Sequence, residues 1–197
     1  MRKTKIEYYF LLLIGLTFLS CSAQKKSDNL ENTIIKVVKA FKEKDASTLN
    51  ELISKENGLI TLYRRGVFDQ YEKTKIVDFE NPVPEYLPYF DFSTDLKLSF
   101  ESLPTFDCDN VKWNKIGIFC DTTKIDNLLS NTAKNLNKYR NDNISKKEIE
   151  SFEKLEKNSY RIILSDGKEG ELIFYLTLID GKWYLTIIDR VTTDCSA

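Results

Sequence analysis

The chain has 197 residues, with 29 Lys and Arg against 30 Asp and Glu, 42% hydrophobic residues and no histidine. Balanced charge excludes the clustered basic excess that nucleic-acid binding needs. The missing histidine excludes Ser-His-Asp and Cys-His catalysis and His-containing zinc sites. Seven glycines and four prolines leave no glycine-rich phosphate loop.

The N-terminus reads as an export signal. Arg2, Lys3 and Lys5 precede an apolar run from Tyr8 to Leu19, shorter than the roughly 20 residues a membrane-spanning helix needs. Positive charge, a short apolar core and small residues after it are the layout of a secretory signal over residues 1–20. The segment Phe18-Leu19-Ser20-Cys21 resembles a bacterial lipoprotein signal, in which the cysteine becomes the lipidated first residue. Ser20 and Cys21 match that pattern, whereas Phe18 and Leu19 depart from its usual leucine and small residue. Cleavage after Ala23 at Cys21-Ser22-Ala23 is the rival.

The lipoprotein resemblance implies acyl chains, palmitate among them, on Cys21. They would hold the protein on a bacterial membrane, facing the periplasm or the cell surface, since each buried methylene contributes about 0.8 kcal/mol. Lys25-Lys26 follows instead of an acidic run, so the choice of membrane stays open. Residues 21–29 form the lipidated cysteine and a polar tether. Residues 30–197 are then expected to form a single α+β domain.

From Leu30, apolar positions Ile34, Val37, Val38 and Phe41 recur at helical spacing. Asp45 caps a second short helix carrying Leu49, Leu52 and Ile53, with Gly58 beyond its end. Leu59 to Tyr63 is a strand, turned back at Arg64-Arg65-Gly66 through Val67-Phe68. The four prolines fall between Pro82 and Pro104. They exclude helix and central strand from Asn81 to Phe92, whose aromatics make it an ordered crossing segment.

Beyond Cys21 the cysteines are Cys108, Cys120 and Cys195. Exported thiols can pair, and three sites allow three single bridges. The favoured one is Cys108–Cys120, because residues 108–120 read as two short strands around Asn114. Thr123-Lys-Ile-Asp126 matches a capping box and opens a helix with Ile125, Leu128, Leu129, Thr132, Leu136 and Tyr139 on one stripe. Asn141-Asp-Asn143 stops it. Ser145-Lys-Lys-Glu148 caps a further helix bearing Ile149, Phe152 and Leu155.

The last third reads as a meander of Tyr160–Leu164, Leu172–Ile179 and Trp183–Arg190. Asp180-Gly181 signals a tight hairpin in which both turn residues take positive φ. That register sets Leu178 opposite Trp183, Leu176 opposite Leu185 and Phe174 opposite Ile187 on one face.

Phe41-Lys-Glu-Lys-Asp45 before a short helix, and a closing strand pair through Leu-Ile-Asp-Gly-Lys-Trp-Tyr-Leu (178–185), resemble the NTF2-like (SnoaL-like) superfamily. The resemblance covers residues 30–56 and 159–190. It implies N-terminal helices packed on a curved antiparallel sheet, here with an inserted helical pair. Its enzymes use a pocket Asp, Tyr or His, and no His is present.

Candidate sites are few. Asp189 shares its parity with Trp183, Leu185 and Ile187, where a carboxylate can have a raised pKa and act as a base; the blander reading puts it at the sheet end, beyond the core. Tyr63 beside Arg64-Arg65 can hold an anion or be a solvated turn. Tyr86, Tyr89, Phe90 and Phe92 can form a sugar- or peptide-binding surface or cap the core. Asp107, Asp109 and Asp121 lack calcium-loop spacing and read as a solvated acidic edge. No catalytic residue, metal or cofactor is expected. The expected function is a non-catalytic binding or structural role of a cell-envelope lipoprotein, with the membrane and a protein or glycan ligand as partners. Two alternatives are a small-molecule enzyme or carrier with an NTF2-like cone pocket, and an inhibitor or immunity-type partner of another exported protein.

Overall fold

The computed structural model describes residues 29–93, 95–168 and 170–196. The export signal, Cys21 and the tether up to residue 28 lie outside the described residues. The chain divides into two units, residues 1–36 and 37–197, each taken by itself.

The first helical stretch, α1, covers residues 29–42. Its expected stripe of Leu30, Ile34, Val37, Val38 and Phe41 is buried. Helix α2, Ala46–Glu51, is capped by Asp45, whose Oδ1 accepts from the Thr48 N–H at 3.0 Å. Gly58 then takes φ +69°, and a Cβ there would lie 2.6 Å from the Thr74 carbonyl oxygen. Only glycine fits both demands.

Strands β1 (Leu59–Arg65) and β2 (Phe68–Thr74) form a hairpin. Short strands β3 (Leu98–Ser99), β4 (Phe106–Asp107), β5 (Lys112–Trp113) and β6 (Gly117–Cys120) follow the proline segment. Helices α3 (Leu128–Arg140) and α4 (Lys146–Lys157) lead into the meander of β7 (Ser159–Ser165), β8 (Glu171–Ile179) and β9 (Lys182–Asp189). The proline segment has neither helix nor strand from Asn81 to Phe92.

The α+β class and the C-terminal meander are as expected, but the sheet is mixed rather than antiparallel. Its order is β2-β1-β9-β8-β7-β6-β3, and β4-β5 form a separate pair. β1 runs parallel to β9, and β3 parallel to β6. Helices α3 and α4 cover one face. There Leu129, Ala133 and Phe152 pack with Ile60, Leu62, Tyr175, Ile187 and Val191.

The β8–β9 turn has φ +48° at Asp180 and +81° at Gly181. Leu178 faces Trp183 and Leu176 faces Leu185, as alternation predicts. An irregularity between Tyr175 and Leu176 then shifts the register, so Ile187 faces Tyr175, and Phe174 faces Ile188. One extra residue on β9 reverses the parity beyond it. Asp189 therefore leaves the Trp183–Leu185 face. Beside the shift, buried hydroxyls of Ser159, Thr177 and Thr186 link β7, β8 and β9 through two 2.6 Å hydrogen bonds.

The expected capping box at Thr123 does not form. Thr123 turns to Asp121, whose Oδ1 accepts its N–H at 2.9 Å and its hydroxyl at 2.6 Å. Asp126 Oδ2 accepts from Arg161 at 2.9 Å and from the Tyr175 hydroxyl at 3.0 Å. The helix starts at Leu128, leaving Ile125 exposed, and Tyr139 at its other end is exposed too. Glu156 of α4 caps α3 instead, accepting the N–H of Leu129 at 2.7 Å and of Ser130 at 3.2 Å. Asn141 ends α3 at φ +59°, and Ser145 caps α4 through the Glu148 N–H.

The expected Cys108–Cys120 bridge is replaced by Cys108–Cys195. Residues 108–120 are not one hairpin: β5 pairs with β4, while β6 pairs with β7 and sets Cys120 opposite Ile162. That places Cys120 as a buried free thiol inside the sheet. Burial pushes its pKa up to about 12, which keeps the thiol unreactive.

Candidate functional site

The ends of β8 and β9 carry two charged residues that organise the surface above them. Glu171 opens β8, and its Oε2 accepts the Trp113 indole N–H at 3.1 Å. Its Oε1 accepts from the Thr193 hydroxyl. One carboxylate thereby joins the β4–β5 hairpin to the C-terminal tail. The Cys108–Cys195 disulfide makes the same connection, with Cα atoms 5.6 Å apart. Phe106 meets Trp113 edge-on at 5.2 Å and stiffens the hairpin further.

Arg190, one residue past β9, holds the proline segment. Its guanidinium donates to the carbonyls of Val83, Leu87 and Pro88. This suits arginine, whose planar fork presents donors in several directions at once. The segment enters through a cis Val83-Pro84 bond and turns with the Leu87 N–H on the Pro84 carbonyl at 3.0 Å. The guanidinium also stacks on the Tyr89 ring at 4.7 Å, and Phe41 and Phe79 meet that ring edge-on.

Between these two walls lies a cleft of about 540 Å³. Leu172, Ile173 and Ile188 line it from the sheet, Tyr89 and Phe90 from the proline segment, and Phe106, Val111 and Trp113 from the hairpin. Lys168 and Asp194 add one charge of each sign. Val111 is 72% exposed and holds φ +49°, a strained conformation for a β-branched residue. Burial pushes the Glu171 carboxyl above its usual range, against the pull of Thr193 and Trp113. Burial also lowers the pKa of Arg190, and Tyr89 and Glu171 partly offset that.

The sequence-derived candidates are distributed unequally about this cleft. Tyr89 and Phe90 line it, but only Phe90 is substantially exposed, at 45%. Tyr86 is exposed, its hydroxyl donating to the Arg64 carbonyl at 2.6 Å, and Phe92 is buried. Tyr63 is half-buried on β1, and burial raises its hydroxyl pKa. Arg64 and Arg65 are not a paired anion clamp. Both belong to strand β1, where successive side chains project to opposite faces. Arg64 donates to Asp69 and to the Asp194 carbonyl, both at 2.7 Å, while Arg65 is exposed.

Asp189 does not sit beyond the core: it is 4% exposed. Its Oδ2 accepts from Arg161 at 2.5 Å and from the Thr192 hydroxyl at 2.7 Å, and its Oδ1 from the Val191 and Thr192 N–H groups. A carboxylate so occupied orients the C-terminal tail. Asp107 and Asp121 close local turns with Asn110 and Thr123.

Glu171, Arg190, Trp113 and Thr193 escaped the sequence reading, because no local spacing joins positions so far apart in the chain. The uncommon tryptophan beside an expected disulfide was the one available hint. Among the described residues, no group of three or more Cys, Asp or Glu is placed to hold a metal. No helix among them is long and apolar enough to cross a membrane. No protein-family profile matches the chain, and neither the curated proteins nor the solved structures include a match.

Proposed function

We propose that this chain is an exported, lipid-anchored cell-envelope protein with a non-catalytic binding role, exerted through the cleft between the proline segment and the disulfide-bonded hairpin. The observation that carries the binding reading is the fixing of both walls from the sheet: Glu171 holds one and Arg190 the other. A site built in advance keeps the ordering cost of binding low. Its volume of about 540 Å³ falls within the range of ligand sites. The disulfide agrees with an oxidising compartment. The likeness to the NTF2-like superfamily stays part of the proposal for residues 30–56 and 159–190.

Two experiments test this. In cells, Cys21→Ala should move the chain from the membrane fraction to the soluble fraction; unchanged membrane association refutes lipidation. A photo-crosslinking residue at Phe90 of the anchored chain should form adducts that the same group at the exposed Ile76 does not. Equal yields at both positions refute the cleft as a binding site.

One observation favours a second reading, a small-molecule enzyme: a carboxyl of raised pKa lines the cleft. Both oxygens of Glu171 already accept hydrogen bonds from the walls, which supports a holding role instead. Glu171→Gln separates the two, since an acid–base role predicts loss of turnover with binding retained.

A further inference from the structure

We infer that the cleft takes a neutral sugar unit of an envelope polysaccharide, which rests on the binding reading above. Three features carry the assignment. First, the cleft offers rigid aromatic surface. Trp113 has already given its N–H to Glu171, so it contributes ring surface and no donor, and Phe90 is 45% exposed at the opposite wall. Such rings lose little entropy on contact and suit the flat C–H face of a pyranose.

Second, the charges are of mixed sign. Among the described lining residues, Lys168 and Arg190 accompany Glu171, Asp189 and Asp194, and Asp189 is paired with Arg161 behind the cleft. Such mixed signs among the described residues favour no strongly charged ligand, whereas hydroxyl groups can both donate to carboxylates and accept from the ammonium. Third, a peptide finds no strand to extend. β4 and β5 are two residues each, and β8 and β9 are paired along both edges. Strand addition, which supplies main-chain hydrogen bonds to a bound peptide, needs a free edge.

The test applies the full-length chain, purified in detergent, to an array of neutral and acidic envelope oligosaccharides and, separately, to apolar peptides. Neutral oligosaccharides should bind, with an affinity that changes less than about twofold between low and high salt. Phe90→Ala should weaken that binding about tenfold, while Phe90→Trp retains it. Circular dichroism of both variants controls for folding. Binding confined to acidic glycans with steep salt dependence, to peptides, or to no glycan overturns the sugar assignment. The crosslink at Phe90 independently decides whether the cleft binds anything.

Discussion

Glu171 and Arg190 stand at neighbouring strand ends of one antiparallel pair, and each holds a separate loop wall through its charged head. Glu171 collects the indole of Trp113 and the hydroxyl of Thr193; Arg190 collects three carbonyls of the proline segment. The two charges also moderate each other, Glu171 offsetting part of the cost of burying the guanidinium. The cleft is therefore a product of the strand ends and not of the loops alone.

Replacing Arg190 should free the proline segment and leave the sheet intact. Arg190→Ala and Arg190→Lys are both expected to raise protease cleavage between residues 81 and 92, since an ammonium cannot serve three carbonyls with a planar fork. Limited proteolysis with far-UV circular dichroism checks this. Cleavage at the wild-type rate in both variants would refute the role assigned to Arg190.

The disulfide closes a separation of 87 residues. Cys195→Ser should destabilise the chain by about 2–5 kcal/mol, because a long loop gains freedom in the unfolded state. Non-reducing peptide mapping should join the peptides containing Cys108 and Cys195. Cys120 should resist thiol reagents until the chain is denatured. A Cys108–Cys120 peptide would contradict the structure.

Asp189 and Arg161 form a buried pair, the Asp189 side chain being inaccessible to solvent. Asp189→Ala leaves Arg161 with Asp126 as its remaining ion-pair partner and strips the Val191 and Thr192 N–H groups of their acceptor, so it should cost about 1–3 kcal/mol. Replacing both residues with apolar ones should recover part of that loss. Urea denaturation of the two single variants and the double variant measures the coupling, and purely additive effects would count against it.

Glu156 is 1% exposed, with Oε2 unpartnered and Oε1 capping α3. Burial raises its pKa, so the folded chain keeps a proton that the unfolded chain has already released. Its stabilising contribution is then fully present below the ordinary glutamate value and is lost as pH rises through the folded value. The stability of wild type relative to Glu156→Gln should fall over that interval. Glu156→Ala, which also removes the cap, should cost about 1–3 kcal/mol. Denaturant titrations from pH 4 to pH 7 read both effects.

Much of the architecture was legible in the chain because it depends on near neighbours. The stripe from Leu30 to Phe41, the caps at Asp45 and Ser145, the stop at Asn141 and the Asp180-Gly181 turn each involve residues within about three helical turns. The capping box at Thr123 was misread because Asp126 is claimed by Arg161 and Tyr175, 35 and 49 positions away. The parity of Asp189 was misread because strict alternation along β9 carries no information about an extra residue relative to β8.

Local pattern thus settled the helices, the meander and the class of fold, since backbone hydrogen bonding and side-chain periodicity act over a few residues. The partner of Cys108, the reversal of face along β9 and the cleft itself arose in three dimensions. The disulfide and the cleft require groups 58 to 107 positions apart, such as Trp113 with Glu171 and Val83 with Arg190, to converge, and the reversal depends on how β9 pairs with β8. That convergence follows from the order of strands in the sheet, which periodicity along one strand does not encode.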